Sequence, residues 1–235
     1  MTILRGSIPT KNHLLSVCVR LFLEQGYKQT TVRQIASEAG VSVSSFQNFF
    51  GSKDGVLGEL IAFMFGGQFG AARDIVGAEL PPVYTYAAET AIQLVLTELH
   101  ENLRDIYLEV YSLPNTSEYI FQHTARELRR IFGAYLPDYS ESDFYETEIG
   151  TAGIMRGYMA RKCDIHFSLE KKVERFLTVS LRAYRVPEEE QAEVLAYIGK
   201  INLRALADEV MQKLFAALEM KFDFTLAKTD EKKEP

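Results

Sequence analysis

Residues 30–53 read TTVRQIASEAGVSVSSFQNFFGSK, and this stretch decides the fold. Thr31 with Gln34 three residues on has the form of a capping box, and Val32, Ile35, Ala36 and Ala39 then recur at helical spacing until Gly40 stops the helix after about two turns. Val41, the Ser42 cap and Phe46 form a hydrophobic staple, so a second short helix starts at once and ends near Gly51. The two are joined by a turn over residues 39–42. Val32, Ile35, Ala36, Ala39, Val41, Phe46 and Phe50 can share a small core, which leaves Val43, Ser44, Ser45, Gln47 and Asn48 facing outward.

Outward from this stretch, helical periodicity continues in both directions. A preceding helix over about Lys11 to Gln25 places Leu14, Leu15, Val17, Cys18, Leu21 and Phe22 on one side, with Ser7 or Thr10 as its cap and Gly26 as its stop. A fourth helix, capped by Ser52 and Asp54, carries the stripe Val56, Leu57, Leu60, Ile61, Met64 and Phe65. Gly66, Gly67 and Gly70 predict a bend or break in it. Further helices are predicted over about Val83–Tyr111, Ser117–Tyr135, Ser142–Lys162, Leu169–Tyr184 and Glu188–Met220. No period-2 alternation marks a sheet. The predicted fold class is therefore all-α, with an N-terminal three-helix helix-turn-helix domain over 1–54, a second helical domain over 55–226 and a polar, disordered tail over 227–235.

The chain has 26 Lys and Arg against 32 Asp and Glu, a net charge of −6, but the charge is unevenly spread. Residues 1–54 hold six bases and three acids, a net +3, and the remainder a net −9. Contact with a phosphate backbone is largely electrostatic, so the N-terminal part is where nucleic acid is expected. Small outward side chains allow close approach to DNA, and Ser, Gln and Asn can reach base edges or phosphates.

The run from Phe22 to Tyr27, then Thr30 to Ser42, then Phe46 to Asp54, closely resembles the N-terminal signature of TetR-family transcriptional regulators, over about residues 8–60. The resemblance implies an all-helical homodimer that binds double-stranded operator DNA and whose divergent C-terminal domain holds a small-molecule pocket. By position it makes Thr31 and Arg33 the residues at the start of the second helix that meet phosphate and a base edge. It makes Val43, Ser44 and Ser45 the head of the recognition helix, Phe49 an aromatic on the phosphate side, and Lys53 a phosphate contact. Asn48 completes the expected face. Gln47 stands where the family usually has Tyr, so an amide replaces a phenol there, and Gly or Pro is frequent in the family near Ser44.

Eleven of the twelve Tyr lie beyond residue 80. Tyr84, Tyr107, Tyr111, Phe121, His123, Met155 and Tyr158 are candidate ligand-binding residues, because ligand sites are mostly apolar with a few placed polar groups. The same aromatics would equally fill a plain core. Small residues in Gly150–Gly157 and the apolar set Phe176, Leu177 and Leu181 are candidates for dimer helices. The expected function is a homodimeric repressor released from its operator by a small-molecule effector. The alternative is a DNA-binding dimer whose C-terminal domain binds a protein partner or only dimerises.

Enzymatic classes find no support: four scattered His, no Gly-rich phosphate loop after a strand and no nucleophile elbow. Cys163 and His166 offer two metal ligands where a structural site needs about four, so no metal and no cofactor are expected. Two Cys do not make a disulfide framework. The absence of a signal-peptide pattern and of a long apolar run makes a cytoplasmic location the expectation.

Overall fold

The computed structural model describes residues 7–77 and 79–222. Among these residues there are eleven α-helices and no strand: α1 (Ser7–Gln25), α2 (Val32–Glu38), α3 (Val43–Phe50), α4 (Lys53–Val76), α5 (Pro82–Leu99), α6 (Glu101–Val110), α7 (Pro114–Phe132), α8 (Glu141–Ala160), α9 (Leu169–Ala183), α10 (Glu188–Ile198) and α11 (Leu203–Phe222). They divide into two compact units, one of residues up to Val56 together with those from Gln212, the other Leu57–Met211. The division at Val56 lies two residues from the boundary expected after residue 54. The tail expected over 227–235 lies outside the described residues.

In the first unit a small apolar core explains why three short helices hold together. Leu14, Cys18 and Phe22 of α1, Ile35 and Ala36 of α2 and Phe46 of α3 are all essentially inaccessible. The Phe22 and Tyr27 rings meet edge to face at 5.0 Å, and Phe46 and Phe50 lie 5.3 Å apart. α1 begins earlier than its periodicity indicates, so Thr10 lies inside the helix and does not cap it. The end of α2 is set by Gly40, which takes φ +65° while the Val41 amide donates to the Ala36 carbonyl at 2.9 Å. That is a Schellman closure, and a side chain at position 40 would be strained in it.

The second unit is built around α5. Every residue from Val83 to Thr97 is buried, so the helix has no solvent face and is enclosed by α6, α7, α8, α9 and α10. A helix surrounded on all sides cannot show an amphipathic stripe. Buried threonines settle their hydroxyls within α5 itself: Thr90 donates to the Tyr86 carbonyl at 2.8 Å and Thr97 to the Gln93 carbonyl at 3.0 Å. Phe132 and Tyr184 stack at 4.2 Å beside Tyr86, joining α7, the end of α9 and α5.

Two long expected helices are each divided. The stretch 83–111 breaks at His100, which is extended at φ −124° and ψ 101°. Arg104, buried in the first turn of α6, donates to the freed Thr97 carbonyl at 2.9 Å and so satisfies the end of α5. The stretch 188–220 breaks over 199–202, where Gly199 ends α10 and the Asn202 side chain accepts from the Ala205 amide at 3.2 Å at the head of α11. In contrast, α4 runs unbroken across Gly66, Gly67 and Gly70. Phe176, Leu177 and Leu181, expected at a dimer surface, are buried within the single chain. Cys18 and Cys163 are free thiols. No helix among the described residues is long and apolar enough to cross a membrane, and none of their His, Cys, Asp and Glu form a group of three fit to hold a metal.

Candidate nucleic-acid interface and interior cavity

The helix-turn-helix is locked from its caps outward. Thr31 and Ser42 each present a side-chain oxygen to the amide three residues on, at 3.2 Å for Gln34 and 3.0 Å for Ser45. The expected capping box is only half formed. Gln34 turns instead to Gln25, and the two amides exchange hydrogen bonds of 2.9 and 3.0 Å, tying α2 to the end of α1. Arg20 of α1 bridges to Glu24 at 3.1 Å and to Glu38 of α2 at 2.7 Å, which raises the guanidinium's proton affinity further.

The side chains expected to read DNA divide into two sets. Thr31, Arg33, Val43, Ser44, Gln47 and Asn48 are exposed on α2, α3 and their caps. Arg33 forms no ion pair among the described residues, so its charge is presented to solvent. Ser45 is half-buried with its hydroxyl 2.9 Å from that of the Ser42 cap, and Phe49 is half-buried with its ring 6.3 Å from Phe50. Lys53 has a structural occupation that the sequence does not reveal. Its ammonium donates to the Tyr27 carbonyl at 2.7 Å and the Thr30 carbonyl at 3.0 Å and lies 4.0 Å from the centre of the Tyr27 ring. It clamps the α1–α2 connection, with the Tyr27 hydroxyl donating to Asp54 on the same turn.

In the second unit, α5, α7, α8, α9 and Tyr111 at the end of α6 line a half-open cavity of about 30 Å³. Of the seven candidate ligand residues only Tyr111 and Met155 line it. Tyr84 packs edge to face on Tyr197, Tyr107 is buried within electrostatic reach of Glu89 and Tyr111 without lining the cavity, Phe121 meets Tyr145, the exposed His123 stacks on Tyr119, and Tyr158 contacts Phe167 and Phe176. What the cavity gathers instead is a set of polar groups from α5 and α8: Glu89, Thr90 and Gln93 opposite Glu148 and Thr151, with Thr124 from α7. Their spacings, 89, 90 and 93 on one helix and 148, 151, 152 and 155 on the other, are single helix faces. The spacings are visible in the sequence; that these faces turn inward is not.

The electrostatics of this cavity are unusual. Glu148 accepts from the Thr151 hydroxyl at 2.7 Å and from the Tyr184 hydroxyl at 3.3 Å, yet burial outweighs both and pushes its carboxyl up to about 7. Burial, reinforced by the two glutamates, raises the Tyr86 and Tyr111 phenols as well. Gln93 donates its amide to Glu89 and its Oε1 is buried without a donor, and the Thr124 hydroxyl is buried without a protein partner; both residues line the cavity.

A capped pair of short helices with a polar outer face on a three-helix core is a DNA-binding helix-turn-helix domain. Residues 14–60 match the profile of the bacterial regulatory proteins of the tetR family, so the N-terminal unit carries that family's DNA-binding domain. The chain is 35% identical over 75 residues to the HTH-type transcriptional repressor KstR2 of Rhodococcus jostii, covering 32% of this chain and 37% of that one. It is 25% identical over 157 residues to the HTH-type transcriptional regulator YerO of Bacillus subtilis, covering 63% and 54%. It is 45% identical over 47 residues to the HTH-type transcriptional regulator HbdR of an Aromatoleum species, covering 20% of each. The chain thus spans about half or less of the length of these relatives, each of which is named as a transcriptional repressor or regulator.

Proposed function

We propose that the protein is a sequence-specific transcription regulator, a homodimeric repressor that leaves its operator when a small molecule occupies the second unit. The observation that carries DNA binding is the exposed set Thr31, Arg33, Val43, Ser44, Gln47 and Asn48 on a helix-turn-helix whose interior is otherwise sealed. α3 enters the major groove, Arg33 meets phosphate or a base edge, and the small head of α3 permits close approach. Gln47 offers an amide to the backbone.

Dimerisation is supported by the outer face of α8 and α9. Ile149 is 44% exposed and Val179 41% exposed, and Gly150, Gly153 and Gly157 have open space over their Cα atoms, so a second helix could approach closely along that line. A two-fold pair places its recognition helices ~34–36 Å apart, one turn of B-DNA. A second reading, in which the second unit binds a protein or only dimerises, is favoured by the small volume of the cavity. The effector reading is favoured by that cavity's unpartnered polar atoms.

The test is selection of bound sequences from random DNA, followed by binding of the selected site across a salt titration. Wild type selects a two-fold symmetric site, and Arg33→Ala weakens binding and lowers the salt slope by roughly 0.9 for one lost phosphate contact. Failure to enrich any sequence, or an unchanged slope, overturns the assignment.

A further inference from the structure

We propose that the cavity between α5, α7, α8 and α9 takes a small organic cation, a protonated alkylamine, whose ammonium is received by the Glu148 carboxylate and the Gln93 and Thr124 side-chain oxygens. This rests on the reading of the second unit as an effector-binding domain and names the chemistry of its effector.

The inventory of hydrogen-bonding groups leads there. Among the described residues no Lys, Arg or His lines the cavity, whereas two glutamates do. Gln93 and Thr124, both lining residues, are only 3% and 7% exposed, and each holds a buried oxygen without a partner. An ammonium brings three donors and one positive charge, which answers Glu148, Gln93 Oε1 and Thr124 Oγ1 together. A water molecule has two protons to give and leaves the carboxylate charge uncompensated. An anion would face carboxylates and an unpartnered amide oxygen, with no lining base to receive it.

Shape and lining agree. About 30 Å³ is room for roughly two water-sized groups, enough for an ammonium and its first carbon. Tyr86, Tyr111 and Phe176 line the same space, and aromatic side chains attract cations. Met155 also forms part of the wall. Its unbranched thioether has three rotatable bonds and can yield to an alkyl chain.

Binding should depend on pH. The titratable groups around the Glu148 carboxyl are Tyr86 and Glu89 on α5, Tyr111 at the end of α6 and Tyr184 at the end of α9; α7 contributes only the neutral Thr124 hydroxyl. The phenols stay protonated near neutrality, their own proton affinities being raised. With the Glu148 carboxyl pushed up to about 7, amine affinity falls by up to about tenfold for each pH unit below that value, as the cation must displace a proton.

Titration calorimetry on the full chain at pH 8, with n-butylammonium, 1-butanol and butyrate as matched probes, tests this. Butylammonium is expected to bind and the other two not; Glu148→Gln and Gln93→Leu should each weaken it tenfold or more. Thermal denaturation checks that both variants remain folded. Equal binding of 1-butanol, binding of butyrate, retained affinity in Glu148→Gln, or no heat with any probe would each overturn the proposal. DNA selection with the probe-free wild type is scored separately. A loss there sinks the regulator reading and leaves the calorimetric result standing.

Discussion

Replacing Glu148 by Gln should stabilise the second unit, by an amount that grows with pH. In an unfolded chain this carboxyl releases its proton near 4.5, whereas in the folded unit burial holds it to about 7. Between those values the unfolded state deprotonates and the folded state does not. Folding therefore loses stability with each pH unit, and the loss is complete once pH has risen past about 7. At 1.36 kcal/mol per unit, a displacement of this size is worth about 3 kcal/mol. Gln keeps an oxygen for Thr151 and Tyr184 and never ionises. Other carboxylates in the protein, Glu98 and Glu127 among them, are shifted the opposite way by their basic partners, so wild-type stability alone will not isolate the effect. The difference between variant and wild type will. Measured by thermal denaturation from pH 5 to 8.5, it should rise with pH and level off above 7, reaching roughly 6–12 °C for a unit of this size. A difference that stays flat with pH, or a variant less stable than wild type at pH 8, would refute the account of Glu148 as a buried, uncompensated acid.

Three further outcomes follow from the first unit and the outer face of the second. Lys53→Ala removes two charge-assisted hydrogen bonds and a cation–π contact and should cost about 2–3 kcal/mol in denaturant unfolding, whereas Arg33→Ala should stay within about 0.5 kcal/mol of wild type. Equal stability of the two would mean that the Lys53 clamp is energetically idle. Thr31→Ala deletes the α2 cap and is expected to destabilise by about 1 kcal/mol, read from the urea midpoint at unchanged slope. Ile149→Asp should halve the mass seen by light scattering if the α8–α9 face pairs two chains; an unchanged mass places the interface elsewhere.

The helix-turn-helix was legible almost residue by residue because its limits are written in local chemistry. Thr31 and Ser42 start helices, Gly40 and Gly51 end them at positive φ, and the apolar spacing between them is unambiguous. The role of Lys53 was not legible, since its partners are backbone carbonyls 26 and 23 residues away that no side-chain pattern announces. The break at His100 was invisible for a related reason: neither Gly nor Pro makes it, and its compensation by Arg104 is tertiary. The cavity was not legible, because Glu89, Thr90 and Gln93 recur at helical spacing as an outer polar face would. In a helix buried on every side such residues imitate a solvated stripe, and only the enclosing helices reveal that they face inward. At Gly199 and Asn202 the stop and cap residues were present, and the surrounding periodicity concealed them.

The enclosure of α5 also bears on how the second unit opens. A backbone amide in a helix with one wet face can exchange its hydrogen by fraying or small local excursions, but Val83 to Thr97 has no such side. Releasing those protons requires the surrounding helices to separate, so they should be the slowest to exchange in the unit and should share one common rate. Most of the residues lining the cavity hang from that same slow segment and from α8. A molecule that binds there would thus register throughout α5 as added protection, far beyond the few residues it touches.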